Sequence, residues 1–289
     1  MSAILCFGEV LFDGLPSGPT VGGAPLNVAL HLHHWGVKTH IASAIGKDEW
    51  GKKLMRFLNQ REFSHRGITE SDHWPTGWVD VSLDAQGSPS FTICEPAAWD
   101  AIPYEDGLAK SSSMLVFGSL AMRHAISRKS LVKYTAAISH RVMDINLRPP
   151  FVDWPLIEGF MNNVEVLKLN REELHNWLGY RGIRVDVSEN KDLHVFAQHF
   201  DHARQIIVTD GANGAFLIAE GVLRYQPIPR MDVADTVGCG DALLAGFLFG
   251  QTQGWDLDQS LEWAVRAGSA VAMHEGGTPM VSIETIQNM

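Results

Sequence analysis

The residues best placed to do chemistry form the run Asp235-Thr236-Val237-Gly238-Cys239-Gly240-Asp241, which passes directly into the apolar stretch 242–249. Two glycines followed by an apolar run read as the entry to a helix, with a carboxylate in its first turn. The first amides of a helix have no intrahelical acceptor and point outward, so they attract anions. Oriented donors of this kind, here the amides of Gly238, Cys239 and Gly240, can hold the charge that builds on a phosphoryl group in transfer. Asp241 can take the proton of the attacking hydroxyl, a role worth about 10²–10⁴-fold. An ordinary aspartate, with a pKa near 3.9, is ionised at neutral pH without special surroundings. The plainer alternative is a glycine-rich helix entry whose acidic residue merely suits the helix dipole.

Other short constellations lie far from this one in sequence. Gly22-Gly23-Ala24-Pro25-Leu26-Asn27 joins glycines, which let a backbone approach a ligand closely, to an amide that can both donate to and accept from hydroxyls. Gly8-Glu9-Val10-Leu11-Phe12-Asp13 precedes a turn-forming Gly14. Asp144-Ile145-Asn146-Leu147-Arg148 ends in a guanidinium whose planar fork suits phosphate. Asn170-Arg171-Glu172-Glu173 could equally be an N-capped helix with an acidic first turn, and 208–214 could be a glycine turn. Taken together and in this order, these segments resemble the signatures of the ribokinase-like (PfkB) family of sugar kinases. The resemblance runs from Gly8 to about Pro279.

That resemblance implies an ATP-dependent transfer to a primary hydroxyl of a small sugar. Asp241, Gly238, Cys239 and Gly240 would be catalytic. Asp13, Gly22, Gly23, Asn27 and Arg148 would bind sugar. Asn170, Glu173, Thr209, Gly211 and Gly214 would face the nucleotide, with Glu173 acting on Mg2+ through water, since magnesium keeps several waters. Asp235, with carbonyls near Ala272 and Gly277, stands where some members hold K+. The stretches Gly-Glu-Val-Leu-Phe-Asp, Gly-Gly-Ala-Pro-Leu-Asn and Asp-Ile-Asn-Leu-Arg bring the chain nearest to fructokinases, which make fructose 6-phosphate. 2-Keto-3-deoxygluconate kinase and ribokinase are the rivals within the class, and a non-catalytic sugar sensor is the rival outside it. A nicotinamide-dependent oxidoreductase is disfavoured because 8–13 lacks the G-x-G-x-x-G phosphate turn. Position 239 departs from the family, which usually has a small residue there. A thiol at a helix start can have a lowered pKa, so Cys239 is either a site of oxidation and alkylation or an inert, shielded thiol.

These residues need elements to hold them. Ala3–Phe7, 39–45, 114–117, 142–144, 164–169 and 205–208 read as short strands, and 25–35 and the stretch around Trp50, Leu54, Phe57 and Leu58 as helices between them. This alternation predicts an α/β fold: a ribokinase-like three-layer sandwich with a mostly parallel sheet. It is expected as one domain spanning 1–289. Segments 12–22 and 76–95 break the pattern with turn signals and alternation, including a turn at Asp84 to Gly87, and predict a small projecting sheet. Such a sheet could form a lid over the site, pair with a second subunit in a homodimer, or be an ordinary edge hairpin. Trp78 and Trp99, in or beside it, could touch sugar or subunit, whereas Trp35, Trp50 and Trp263 read as packing. A net charge of −10 without any basic block argues against nucleic acid. No basic leader and no apolar run of about 18 residues argue against a signal peptide or membrane span, so a cytoplasmic location is expected. Three scattered cysteines define no disulfide framework. His31, His33 and His34 lack a carboxylate at metalloenzyme spacing, so zinc is not expected.

Overall fold

The computed structural model describes residues 2–15, 18–83, 89–186, 190–200 and 202–289. The turn expected at Asp84 to Gly87 lies outside them. The main sheet has nine strands: β1 (Ala3–Phe7), β4 (Thr39–Gly46), β5 (Ile68–Ser71), β8 (Ser112–Gly118), β9 (His140–Asp144), β10 (Val166–Asn170), β11 (Gln205–Thr209), β12 (Ala215–Ala219) and β13 (Val222–Gln226). Their spatial order is β13-β12-β11-β10-β9-β8-β1-β4-β5, and β12 alone runs against the rest. Every residue of β1 and β4 is buried, as expected of parallel strands covered on both faces.

One face of the sheet packs against α1 (Ala24–His34), α2 (Glu49–Gln60), α8 (Cys239–Thr252), α9 (Leu257–Ala272) and α10 (Ile283–Gln287). The other is covered by α3 (Asp106–Ser111), α4 (Ala125–Ala137), α5 (Trp154–Met161), α6 (Arg171–Tyr180) and α7 (Lys191–His199). The three-layer α/β architecture with a mostly parallel sheet is therefore present. Helix α8, which carries the glycine-rich run at its start, is buried from Ala242 to Gly250. It can lie deep because α9 approaches it closely: a methyl on Gly246 would come within 2.8 Å of Ala267, and one on Gly250 within 2.7 Å of Ser260. This packing, rather than propensity, fixes where α8 begins.

A second sheet stands apart, with strand order β3 (Gly18–Gly22), β2 (Leu11–Leu15), β6 (Gly77–Leu83), β7 (Pro89–Ile93). β2 pairs antiparallel with β3 and parallel with β6. A four-stranded sheet by itself is marginal and needs a surface to pack on. It finds one in α2: the Trp78 ring lies tilted 4.7 Å from Trp50, and Phe12 lies 4.9 Å from the same ring. Trp78 is therefore a packing residue here. Trp99 is buried in the main body, with the Arg123 guanidinium 3.9 Å over its ring, so it is not available to sugar or to a subunit.

Several elements were not expected from sequence. These are β5 and the β12–β13 hairpin, while the helices joining the later strands were expected without bounds. The strand expected at 164–169 begins two residues later, and the helix expected over 25–35 spans Ala24–His34, with Trp35 as its C-cap.

Candidate functional site

Strand order reverses between β1 and β8: the chain leaves β1 toward β4 on one side and returns to β8 on the other. In open α/β sheets a crevice forms at such a switch, at the carboxyl ends of the strands. Electrostatic coupling joins Glu9 after β1, Arg148 after β9, Lys168 on β10 and Asp241 at the start of α8.

The start of α8 is built from backbone. Gly238 is the N-cap in a left-handed conformation (φ 75°), and no side chain caps the helix. A methyl at Gly238 would lie 2.5 Å from Gly277, so the two backbones touch and only glycine fits. The amides of Gly238 and Gly240 find no acceptor among the described residues, whereas the Cys239 amide donates to the Thr236 carbonyl at 3.3 Å. Of the three amides expected to receive an anion, two are thus free. Asp241 is half-buried beside them. Burial and the neighbouring Asp144 push its carboxyl up to about 6, while Lys168, the Asn27 hydrogen bond and Arg148 pull the other way. This is not the ordinary environment that sequence allowed for, although the group still ionises below neutral pH.

Helix α1 reaches both sides of this start. Asn27 Nδ2 donates to Asp241 Oδ2 at 2.8 Å, across 214 residues of sequence. One turn on, His31 Nε2 donates to the Gly277 carbonyl at 3.1 Å. Residues four apart lie on one helix face, which is why one helix can hold both. Burial pushes His31 down to about 4, so it is neutral at physiological pH and serves as a hydrogen-bond donor. Among the described residues no group of three or more His, Cys, Asp or Glu could hold a metal directly. Gly22 and Gly23 have steric reasons of their own. A methyl on Gly22 would fall 2.4 Å from Asp13 Oδ2, and one on Gly23 (φ 116°) 2.4 Å from the Glu9 carbonyl.

Two carboxylates of the N-terminal segment, Asp13 and Glu9, feel the charge of Arg148. Burial raises the pKa of Asp13, on β2, and Arg148 opposes the rise. Glu9, just past β1, is buried with Oε2 unpartnered, and burial pushes it up to about 7 against the pull of Arg148. Arg148 is exposed, with Nη1 bonded to the adjacent Leu147 carbonyl at 2.9 Å, yet its charge reaches Glu9, Asp13 and Asp241.

On the far side of the crevice, the start of α6 is closed by side chains. Asn170 Oδ1 accepts from the Glu173 amide at 2.8 Å, and Glu173 Oε2 accepts from the Asn170 amide at 2.8 Å, a reciprocal capping box. Glu173 Oε1 accepts from the Leu147 amide at 2.7 Å, tying the Asp144–Arg148 loop to α6. The segment expected to face the nucleotide follows β11. Asp210 N bonds the Gly214 carbonyl at 2.9 Å, and Arg171 Nε lies 3.4 Å from Asp210 Oδ2. Gly214 (φ 115°) would clash with the Gln226 carbonyl if it carried a side chain, so it closes the hairpin sterically. Gly211 (φ 51°) faces open space, and Thr209 ends the strand half-buried.

With this geometry in place, comparison with known proteins is informative. A model of the pfkB family carbohydrate kinases matches residues 18–284. The chain belongs to the pfkB family of carbohydrate kinases. It is 26% identical over 272 residues to fructokinase-2 of Zea mays, covering 85% of this chain and 78% of that one. It is 25% identical over 299 residues to the fructokinase of Escherichia coli, covering 96% and 95%. In three dimensions it is similar to the fructokinase of Xylella fastidiosa with bound ATP (TM-score 0.87, 22% identity, 99% of this chain and 97% of that one).

In this pfkB kinase the structure adds to the sequence reading at three groups. Burial, with Asp235 and Asp241 adding to it, pushes the Cys239 thiol up to about 11, the reverse of what a helix start alone would do. Asp235 serves the loop itself: Oδ1 accepts from Val237 N at 3.0 Å and Oδ2 from Gly276 N at 3.0 Å, while the Ala272 carbonyl accepts from Ala234 and Asp235. Asn27, expected to meet sugar hydroxyls, spends its amide on Asp241, although its Oδ1 is buried without a partner. Sequence reasoning assigned no role to Lys168, Asp144, Glu9 or His31. A lysine inside an otherwise apolar strand, Val166-Leu167-Lys168-Leu169, was the one visible signal for the first of these.

Proposed function

We propose that the chain transfers the γ-phosphoryl group of ATP to a primary hydroxyl of a small sugar, with fructose, giving fructose 6-phosphate, as the first substrate to test. The observation that carries this reading is the 2.8 Å bond from Asn27 to Asp241 beside two amides without acceptors. It joins the glycine-asparagine segment to a carboxylate at the mouth of a ready anion site. In this reading Asp241 takes the proton of the attacking hydroxyl, and the Gly238 and Gly240 amides receive the charge of the phosphoryl group. Asp13 and Arg148 orient the sugar, while Gly22 and Gly23 keep the backbone close to it. Thr209, Gly211 and Gly214 form the nucleotide side.

ATP supplies the phosphoryl group, and Mg2+ screens its charge. Asn170 and Glu173 would face magnesium-bound water. Each already holds backbone amides, which suits an outer position better than a direct ligand. A K+ ion would have to recruit Asp235 and the Ala272 carbonyl, and faster turnover in potassium than in tetramethylammonium salts is the sign that it does. The small sheet, which carries Asp13, would close over the sugar and exclude water.

Fructose is favoured by the fructokinase relatives and by a related Vibrio cholerae fructokinase structure with fructose, ADP and calcium bound. A coupled assay of ATP consumption across fructose, ribose and 2-keto-3-deoxygluconate tests the reading. Turnover dependent on fructose supports it, and preference for another sugar reassigns the substrate. Sugar binding without ATP consumption would instead indicate a sensor.

A further inference from the structure

Beneath the α8 start lies a charge pair that the proposed reaction has not yet used. Lys168 on β10 and Asp144 on β9 are register partners in adjacent parallel strands, so their side chains leave the sheet on the same face. That face is the α8 side, because the neighbouring Val142, Val166 and Ile207 belong to the core that α8 completes. Lys168 Nζ bonds Asp144 Oδ2 at 2.6 Å, with the two side chains only 7% and 8% exposed. A methyl at Gly240 would lie 3.2 Å from Lys168 Nζ, which places the ammonium directly under the second turn-forming glycine.

Stability does not explain this arrangement. A buried ion pair is often no better than an apolar pair of similar volume. A cation beside a helix N-terminus also opposes the dipole, which favours anions there. Asp144 Oδ1 is left buried without a partner, so even the pair's own hydrogen bonding is incomplete. A fixed positive charge in this place makes sense where negative charge must arrive and be held.

We propose that Lys168, held by Asp144, is the positioning residue that sets the charge of the site: its ammonium lies under the Gly240 end of α8, favours the carboxylate form of Asp241 and backs the free amides with positive charge. The proposal rests on the reading of Asp241 as the proton acceptor. The groups acting on Asp241 are Asp144 from β9, Lys168 from β10, Arg148 from the loop after β9, Glu9 from the end of β1, and the adjoining Cys239, with Asn27 as its neutral hydrogen-bond partner. Asp144 raises the Asp241 carboxyl and Lys168 lowers it, so removing each should move it in opposite directions.

The test is the titration of the Asp241 carboxyl carbon by NMR in ligand-free protein, with the resonance assigned from Asp241→Asn. The wild-type midpoint is expected near 6. Lys168→Met should raise it by about one unit or more, and Asp144→Asn should lower it. The double variant, which leaves no uncompensated charge, should return it toward wild type. Turnover of Lys168→Met at pH values above its own midpoint should still fall about tenfold or more, through loss of the backing charge. If Lys168→Met does not fold, the Asp144→Asn and double variants decide. A midpoint that stays put in a folded single variant, or moves the same way in both, overturns the proposal, as does a double-variant midpoint shifted as far from wild type as that of Asp144→Asn. Full activity in Asp241→Asn would instead overturn the proton-acceptor reading, while the midpoints would still judge whether the pair sets the carboxyl's charge.

Discussion

Two helices open into the same crevice and begin in opposite ways. α6 starts with Asn170, whose side chain and that of Glu173 close the first turn on itself. α8 starts with Gly238, carries no side-chain cap and leaves two amides without acceptors among the described residues. A capped start satisfies its own donors and stabilises the helix by about 1 kcal/mol. An uncapped start forgoes that contribution and keeps its donors for something else. α8 can do so because its next nine residues are buried against α1, α9 and the sheet, so its position does not depend on its cap. Open donors are thus placed on the more deeply buried of these two helices.

The strongest way to break this comparison is Asp241→Asn. Turnover should fall by about 10²–10⁴-fold while nucleotide binding persists, measured by steady-state kinetics and by titration with ATP. The same variant should be more stable than wild type at neutral pH. The carboxyl's value is raised from 3.8 to about 6 in the folded chain. Its stabilising contribution is therefore complete below about pH 4 and is lost as pH rises through 6, so the ionised group costs stability at pH 7. Its partial exposure reduces that cost to an order of 1 kcal/mol, or about 2 °C in thermal midpoint. The gain should vanish when melting is repeated at pH 4. A variant that is both active and no more stable would remove α8 from the comparison altogether.

At α6 the expected balance is reversed. Asn170→Ala removes the cap and should lower stability by about 1 kcal/mol in denaturant titration. Because Glu173 still holds Leu147, turnover should drop less than tenfold. A loss of activity like that of Asp241→Asn, with stability unchanged, would show that α6 is also an open site and its capping box incidental.

The contrast also explains what the sequence could disclose. Gly238 and Gly23 were legible because backbone geometry at those points admits only glycine, which leaves a mark in the residue type itself. β1 was legible because burial on both faces favours an unbroken apolar run, Ala3-Ile4-Leu5-Cys6-Phe7. Lys168 interrupts such a run, and its role depends on Asp144 from one strand and on Gly240 from a helix 72 positions along, by their numbers. His31 was read among neighbouring histidines as a metal candidate to dismiss, whereas its partner is a carbonyl 246 residues away. Trp99 was read by its nearness to the small sheet, but the Arg123 guanidinium draws it into the main body. Local chemistry was readable, and pairings made by the fold were not.

Cys239 offers the finest resolution of the comparison, because it reports the local field at the open helix end. The helix dipole alone would favour its thiolate. Burial and the carboxylates of Asp235 and Asp241 instead push the thiol up to about 11. At pH 7 the reactive form would then be roughly 10⁻⁴ of the total, against a few per cent for an ordinary thiol with a pKa near 8.5. Alkylation by iodoacetamide, followed at the Cys239 peptide by mass spectrometry, should therefore be slow at neutral pH and still rising at pH 10. Asp235→Asn should speed it by removing one of the two negative charges. Rapid labelling at pH 7 would mean that the open amides dominate the carboxylates at this point. The charge balance assigned to the α8 start would then have the wrong sign.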